Sequence, residues 1–91
     1  MKKQIWKFQI NPNKVIVEMP IGAEILTIQN QKENACIWAL VNPENEKEKR
    51  HFEVFGTGHN IHYDMGFERK YINSFQMEGG NLVFHLFERL S

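Results

Sequence analysis

Cysteine is nearly missing from this chain. Cys36 stands alone, so no intramolecular disulfide can form, and it lies in an apolar run where a thiol behaves as a small hydrophobe. A reducing cytoplasm is the expected setting. Also missing is any stretch near the roughly 20 apolar residues that a membrane helix needs. Lys2 and Lys3 are followed by Gln4-Ile5-Trp6-Lys7-Phe8-Gln9, which is too polar for the core of a signal peptide. No membrane partner is expected. Charge of one sign is lacking as well: 11 basic and 11 acidic residues leave a formal net charge of zero. Proteins that live on phosphate backbones usually carry a basic excess, because counterion release supplies most of their affinity. Nucleic acid is therefore not the expected partner. No internal repeat is visible, and no segment has the periodicity of a helix of ten or more residues.

What is present is apolar and aromatic. The 91 residues are 42% hydrophobic, with seven Phe, two Trp and two Tyr, ample for a packed core and too much for a disordered chain. A chain of this length buries only about 60–65% of its unfolded surface, so association with another copy is a natural supplement.

The apolar residues recur with period two, the mark of strands with one buried face. Gln4–Ile10 alternates through Trp6, Phe8 and Ile10 and stops at Asn11-Pro12-Asn13. Lys14–Met19 alternates through Val15, Val17 and Met19, and the two segments together suggest an antiparallel pair. After the turn Pro20-Ile21-Gly22, the run Ile25-Leu26-Thr27-Ile28 within Ala23–Gln29 predicts a strand buried on both faces. Asn30–Asn34 reads as a hairpin loop. Ala35–Val41 is the most apolar run and predicts a central strand, closed by Asn42-Pro43, while mixed charge over Glu44–Arg50 reads as a solvated loop and approach to the next strand.

His51–Phe55 sets Phe52 and Val54 on one face and His51, Glu53 and Phe55 on the other. Gly56–Arg69 is the longest irregular segment, and loops of this kind often carry function. Tyr71–Met77 places Tyr71, Phe75 and Met77 together, with Asn73 as an exception. Leu82–Phe87 divides into Leu82, Phe84 and Leu86 against Val83, His85 and Phe87. The Gly79-Gly80 pair between them predicts a tight hairpin. The sum is an all-β, single-domain antiparallel sandwich or barrel of about seven strands over residues 1–91.

Chemistry-bearing residues gather in the long loop. Gly56, Thr57 and Gly58 can offer backbone N–H groups to an anion as phosphate-cradling nests do, with His59 or His62 as a further donor, Arg69 and Lys70 neutralising charge and an aromatic such as Tyr63 or Phe67 stacking. Without a following helix this is far weaker than a P-loop. His59, His62 and Asp64 are metal-capable types, but spacing in a loop constrains geometry little. The plainest reading is a solvated loop with exposed histidines, so no metal or cofactor is expected. A nucleophile needs a base within reach, and neither Cys36 nor Ser74 has a local signature with a histidine. Catalysis is not expected, and His85 reads as a hydrogen-bonded strand histidine or an interface residue.

Ile5, Ile16, Phe55, Val83 and Phe87 fall on the parity opposite to their strands' main apolar sets. Either the strands are covered on both sides within the monomer, or the second face is buried elsewhere, since large exposed apolar patches usually mark interfaces. Phe55, Val83 and Phe87 are therefore the expected contacts of a homo-oligomer.

Trp38-Ala39-Leu40-Val41-Asn42-Pro43, Phe55-Gly56-Thr57-Gly58-His59-Asn60-Ile61, the segment from Gly79 to Glu88 and the opening Lys3-Gln4-Ile5-Trp6-Lys7-Phe8 resemble a family of small uncharacterised proteins encoded by bacteriophages and prophages. The resemblance spans nearly the whole chain and carries no assigned site residues. It implies an infected bacterial cell, with the host cytoplasm as location. Small phage proteins there often act against host defence, by sequestering a nucleotide signal or capping a host protein. Two functions are thus expected in outline: a binding module for a small anionic, nucleotide-like ligand, or an interaction protein that meets a host protein or itself.

Overall fold

The computed structural model describes residues 2–11, 15–62, 66 and 68–90, and over them the chain is an all-β domain of seven strands in two antiparallel sheets. In chain order the strands are β1 (Gln4–Ile10), β2 (Ile16–Pro20), β3 (Glu24–Gln31), β4 (Asn34–Val41), β5 (Lys47–Gly56), β6 (Arg69–Met77) and β7 (Leu82–Arg89). One sheet has the order β1-β4-β3 and the other β2-β5-β7-β6. Alternation explains the layers. Trp6, Phe8 and Ile10 point the same way as Ile37, Ala39 and Val41 across the β1–β4 ladder, and Val17, Met19, Phe52 and Leu86 answer them from the second sheet. Met19, Ile37, Val41 and Leu86 are completely enclosed.

Several sequence expectations change here. β1 and β2 do not pair: β1 lies against β4 and β2 against β5, in different sheets. Lys14 and Pro12-Asn13 lie outside the described residues. β3 is a sheet edge, with Ile28 buried and Leu26 42% exposed, because a bulge between Ile25 and Thr27 turns an extra residue outward. Lys47–Arg50 belongs to β5, its charges tolerated because Lys47 and Lys49 sit on the outer face. A second bulge between Tyr71 and Asn73 carries Ile72 to the core and sends Tyr71 to the face opposite Phe75 and Met77. Ile5 is 61% exposed, so the outer faces are not covered within the monomer.

The turns follow backbone chemistry. Pro20 to Ala23 closes with the Ala23 amide donating to the Pro20 carbonyl at 3.1 Å, and Gly22 holds φ 83° at the third position, as a type II turn requires. β3 and β4 are joined by Lys32 and Glu33, both at positive φ (52° and 63°). That is the primed-turn geometry that matches strand twist. The Glu78–Asn81 connection contains a short 3-10 turn with Gly79 and Gly80 at φ 64° and 96°.

Side chains tie the layers together. On the β3/β6 flank, the Asn30 amide donates to the Gln76 carbonyl at 2.9 Å, and the Glu33 carboxylate accepts from the Glu78 amide at 2.9 Å and from Asn30 at 3.2 Å. At the opposite end, Arg50 forms a two-pronged ion pair with Glu88 and donates to the Ala23 carbonyl at 2.9 Å. Glu88 is 6% exposed, the buried charged residue of the core.

Candidate functional site

The outer face of the four-stranded sheet gathers most of the residues that the sequence singles out. Register places Glu53, Phe87 and Tyr71 in one row across β5, β7 and β6, and Phe55, His85 and Ser74 in the next. Phe87 is the hub: Phe55 meets it edge-on with ring centroids 5.7 Å apart, and Tyr71 does so at 5.1 Å. Such pairs contribute about 0.5–1.5 kcal/mol each beyond area burial. Tyr71 is nevertheless 50% exposed.

A hydrogen-bonded frame fixes this cluster. His85 Nε2 lies 2.7 Å from Thr57 Oγ1, and its Nδ1 lies 3.2 Å from the Tyr71 hydroxyl. A neutral imidazole donates through one nitrogen and accepts through the other, and a hydroxyl can do either, so both contacts are satisfied in either tautomer. On the other flank Arg69 donates to Glu53 at 2.7 Å and to the His62 carbonyl at 2.9 Å, and its guanidinium sits 5.9 Å from the centre of the Phe55 ring. The rings are held from both sides.

The loop residues are committed inward. The Gly56 amide donates to His59 Nδ1 at 3.2 Å, the Thr57 amide to the Val83 carbonyl at 3.2 Å, and the His59 amide to the Gly56 carbonyl at 3.0 Å. His59 Nδ1 therefore accepts, and its proton sits on Nε2. A Cβ on Gly56 would stand 2.8 Å from His59 Cε1, so glycine is needed there for the ring to close over the backbone. The amides of Gly56 and Thr57 are thus not aimed at a ligand, and Arg69 is held by Glu53 and the His62 backbone rather than turned to an incoming anion.

Other predicted site residues scatter. Gly58, His62 and Lys70 are exposed, and register puts Lys70 beside Glu88, on the parity opposite Arg69. Tyr63, Asp64 and Phe67 lie outside the described residues. Among the described residues no group of three His, Cys, Asp or Glu side chains could hold a metal ion. Phe55, Val83 and Phe87 do share the outer face, and His85 is the hydrogen-bonded strand histidine that its parity suggested. Tyr71 and Glu53 complete the cluster. The signal for Tyr71 was present but misleading, since simple alternation assigns it to the side of Phe75 and only the bulge reverses it. Among the described residues no helix is long and apolar enough to cross a membrane.

Comparison with curated proteins and with solved structures returned no match. A family model described as a domain of unknown function, DUF7352, matches residues 1–91, and the chain belongs to that family.

Proposed function

We propose that this DUF7352 protein is an interaction module that works through the outer face of its four-stranded sheet, and that the first partner of this face is a second copy. The observation that carries the reading is the interlocked Phe55–Phe87–Tyr71 cluster, ordered by His85 and Arg69 yet left open to solvent at Tyr71 and Val83. A rigid, half-exposed aromatic patch is the composition of an interface centre. Self-association is favoured by charge, because a neutral chain carries no long-range self-repulsion, and Glu18 beside Lys49 on β2 and β5 gives the face both signs. A two-fold arrangement can then set opposite charges together. On the phage setting that the family resemblance implies, the next partner in this proposal is a protein of the host cytoplasm, with this chain as an anti-defence cap. We assign the face no catalytic step.

Native mass spectrometry of gently purified protein tests this in one run. A discrete dimer or higher oligomer without added mass supports the reading, as does its dissociation in Tyr71→Ser/Val83→Glu, two exposed positions whose change leaves the core intact. A monomer at 100 µM that retains an added mass in the nucleotide range would overturn it in favour of a small anionic ligand. Loop variants Gly58→Val and His59→Ala then separate the two: they leave assembly unchanged if the sheet face acts alone.

A further inference from the structure

At the end of the sandwich where β1 finishes and the β3–β4 hairpin turns, the two sheets do not close on each other. A cavity of about 180 Å³ opens there. One wall carries a small residue, Ala35 on β4, which faces Ile10 on β1. Val54, Met77 and the stacked rings of Phe75 and Phe84, 5.6 Å apart and tilted by 31°, supply the opposite wall. The walls are almost wholly apolar.

The mouth is polar but already satisfied. The Gln9 amide donates to Asn34 Oδ1 at 3.2 Å, and Asn34 in turn donates to the Lys32 carbonyl at 3.3 Å. Both oxygens of Glu33 are engaged by Asn30 and the Glu78 amide. Among the described residues no charge at the mouth awaits a counter-charge, and a bound acid would face the Glu33 carboxylate. An ammonium would lose its hydration against apolar walls without a partner. An enclosed hydrophobic hole of about 150 Å³ accepts a benzene ring, and this pocket, open to solvent at its polar mouth, has room of the same order.

We propose that this cavity is a binding site for one small uncharged aromatic molecule, a single ring with one or two substituent atoms such as toluene or phenol. It is distinct from the sheet face proposed above and independent of it. The test is a titration of the full chain with toluene, phenol, benzoate and a capped phenylalanine amide, followed by NMR at the Met77 and Val54 methyl groups. Saturable shifts are expected with toluene and phenol, absent with benzoate, and weakened at least tenfold by filling the hole with Ala35→Leu. Val54→Phe fills it from the other sheet and serves if the first variant fails to fold. The proposal is overturned by flat titrations at both methyl groups, by binding that persists unchanged in the filled variants, by benzoate binding as well as phenol, or by tighter binding of the phenylalanine amide, which would reassign the hole to a peptide side chain.

Discussion

Removing the Glu88 carboxylate should destabilise this protein by several times the cost of losing a surface ion pair. Glu88 and Arg50 face each other on neighbouring strands of the inner layer, with side chains 8% and 16% exposed, joined through two guanidinium nitrogens. An ion pair on the surface contributes about 0–1 kcal/mol, but breaking a buried one leaves an uncompensated charge and costs about 3–5 kcal/mol. Glu88→Ala leaves Arg50 with the Ala23 carbonyl as its hydrogen-bond acceptor and with Glu48 as a nearby opposite charge, so the cost falls at the lower end of that range, about 3 kcal/mol. At about 0.05–0.15 kcal/mol per residue, a 91-residue domain has roughly 5–14 kcal/mol in all. A loss of about 3 kcal/mol would remove roughly a fifth to three fifths of that.

Urea unfolding, read by tryptophan fluorescence, measures the loss directly. Arg50→Ala should cost a similar amount, and the paired change Arg50→Met/Glu88→Leu should be milder than either single variant, because it removes both charges together. Single variants within 1 kcal/mol of wild type would refute the reasoning. The pH dependence has a definite sign. Glu88, through its hydrogen bond, pushes the Arg50 guanidinium above its ordinary value, against the opposing effect of burial. A raised value in the folded state means that the stabilisation is complete at any pH below the unfolded value and fades only as pH climbs past the folded one. For arginine that window is strongly alkaline, so Arg50 imposes no loss of stability between neutral and moderately alkaline pH.

Gly22→Ala forces a side chain into φ 83° with nothing nearby to clash, so a loss of about 1–2 kcal/mol is expected from the backbone alone, readable as a shift in the urea midpoint. Lys32→Asn, at a position with φ 52°, should raise stability by about 0.5 kcal/mol, since asparagine tolerates this region. Glu33→Gly relaxes the same turn yet removes the acceptor of Asn30 and Glu78, so thermal unfolding should show a net loss. Phe52→Ala empties the centre of the core, where Phe52 is 1% exposed, and should cost about 3–5 kcal/mol.

Most of the architecture was legible because alternation is a local property. The faces of β1, β5 and β7 follow from residues two apart, β4 from its unbroken apolar run, and the Gly79-Gly80 hairpin from two adjacent glycines. Strand partners were not legible: nothing in Gln4–Ile10 says that it meets Ala35–Val41 rather than its chain neighbour β2. The β3–β4 turn hid its type as well, since Lys32 and Glu33 lack the glycine that usually announces positive φ, and Glu33 is held there in part by the Glu78 amide, 45 positions away. The same applies to Arg50 and Glu88. Mixed charge over Glu44–Arg50 resembles a loop, and only the partner 38 residues later makes burial of Arg50 tolerable.

The loop and the sheet face illustrate one rule about reading function from residue type. Glycine, threonine and histidine in succession advertise donors, but a donor recruits a ligand only if the fold does not use it first. Here Thr57 orients His85, His59 folds back on Gly56, and Arg69 is clamped by Glu53, so the chemistry-bearing side chains are spent holding Phe55, Phe87 and Tyr71 in place. The polar residues act as scaffold, while Tyr71 stays exposed and Phe55 and Phe87 partly so. His85→Phe sharpens this ordering: it keeps a ring in the face but deletes the Thr57 and Tyr71 contacts. If the frame positions the rings for a partner, this variant should weaken self-association at least fivefold while leaving the urea midpoint within about 1 kcal/mol of wild type, the usual range for a surface hydrogen bond. Unchanged association in sedimentation experiments would mean that the aromatic patch needs no polar frame.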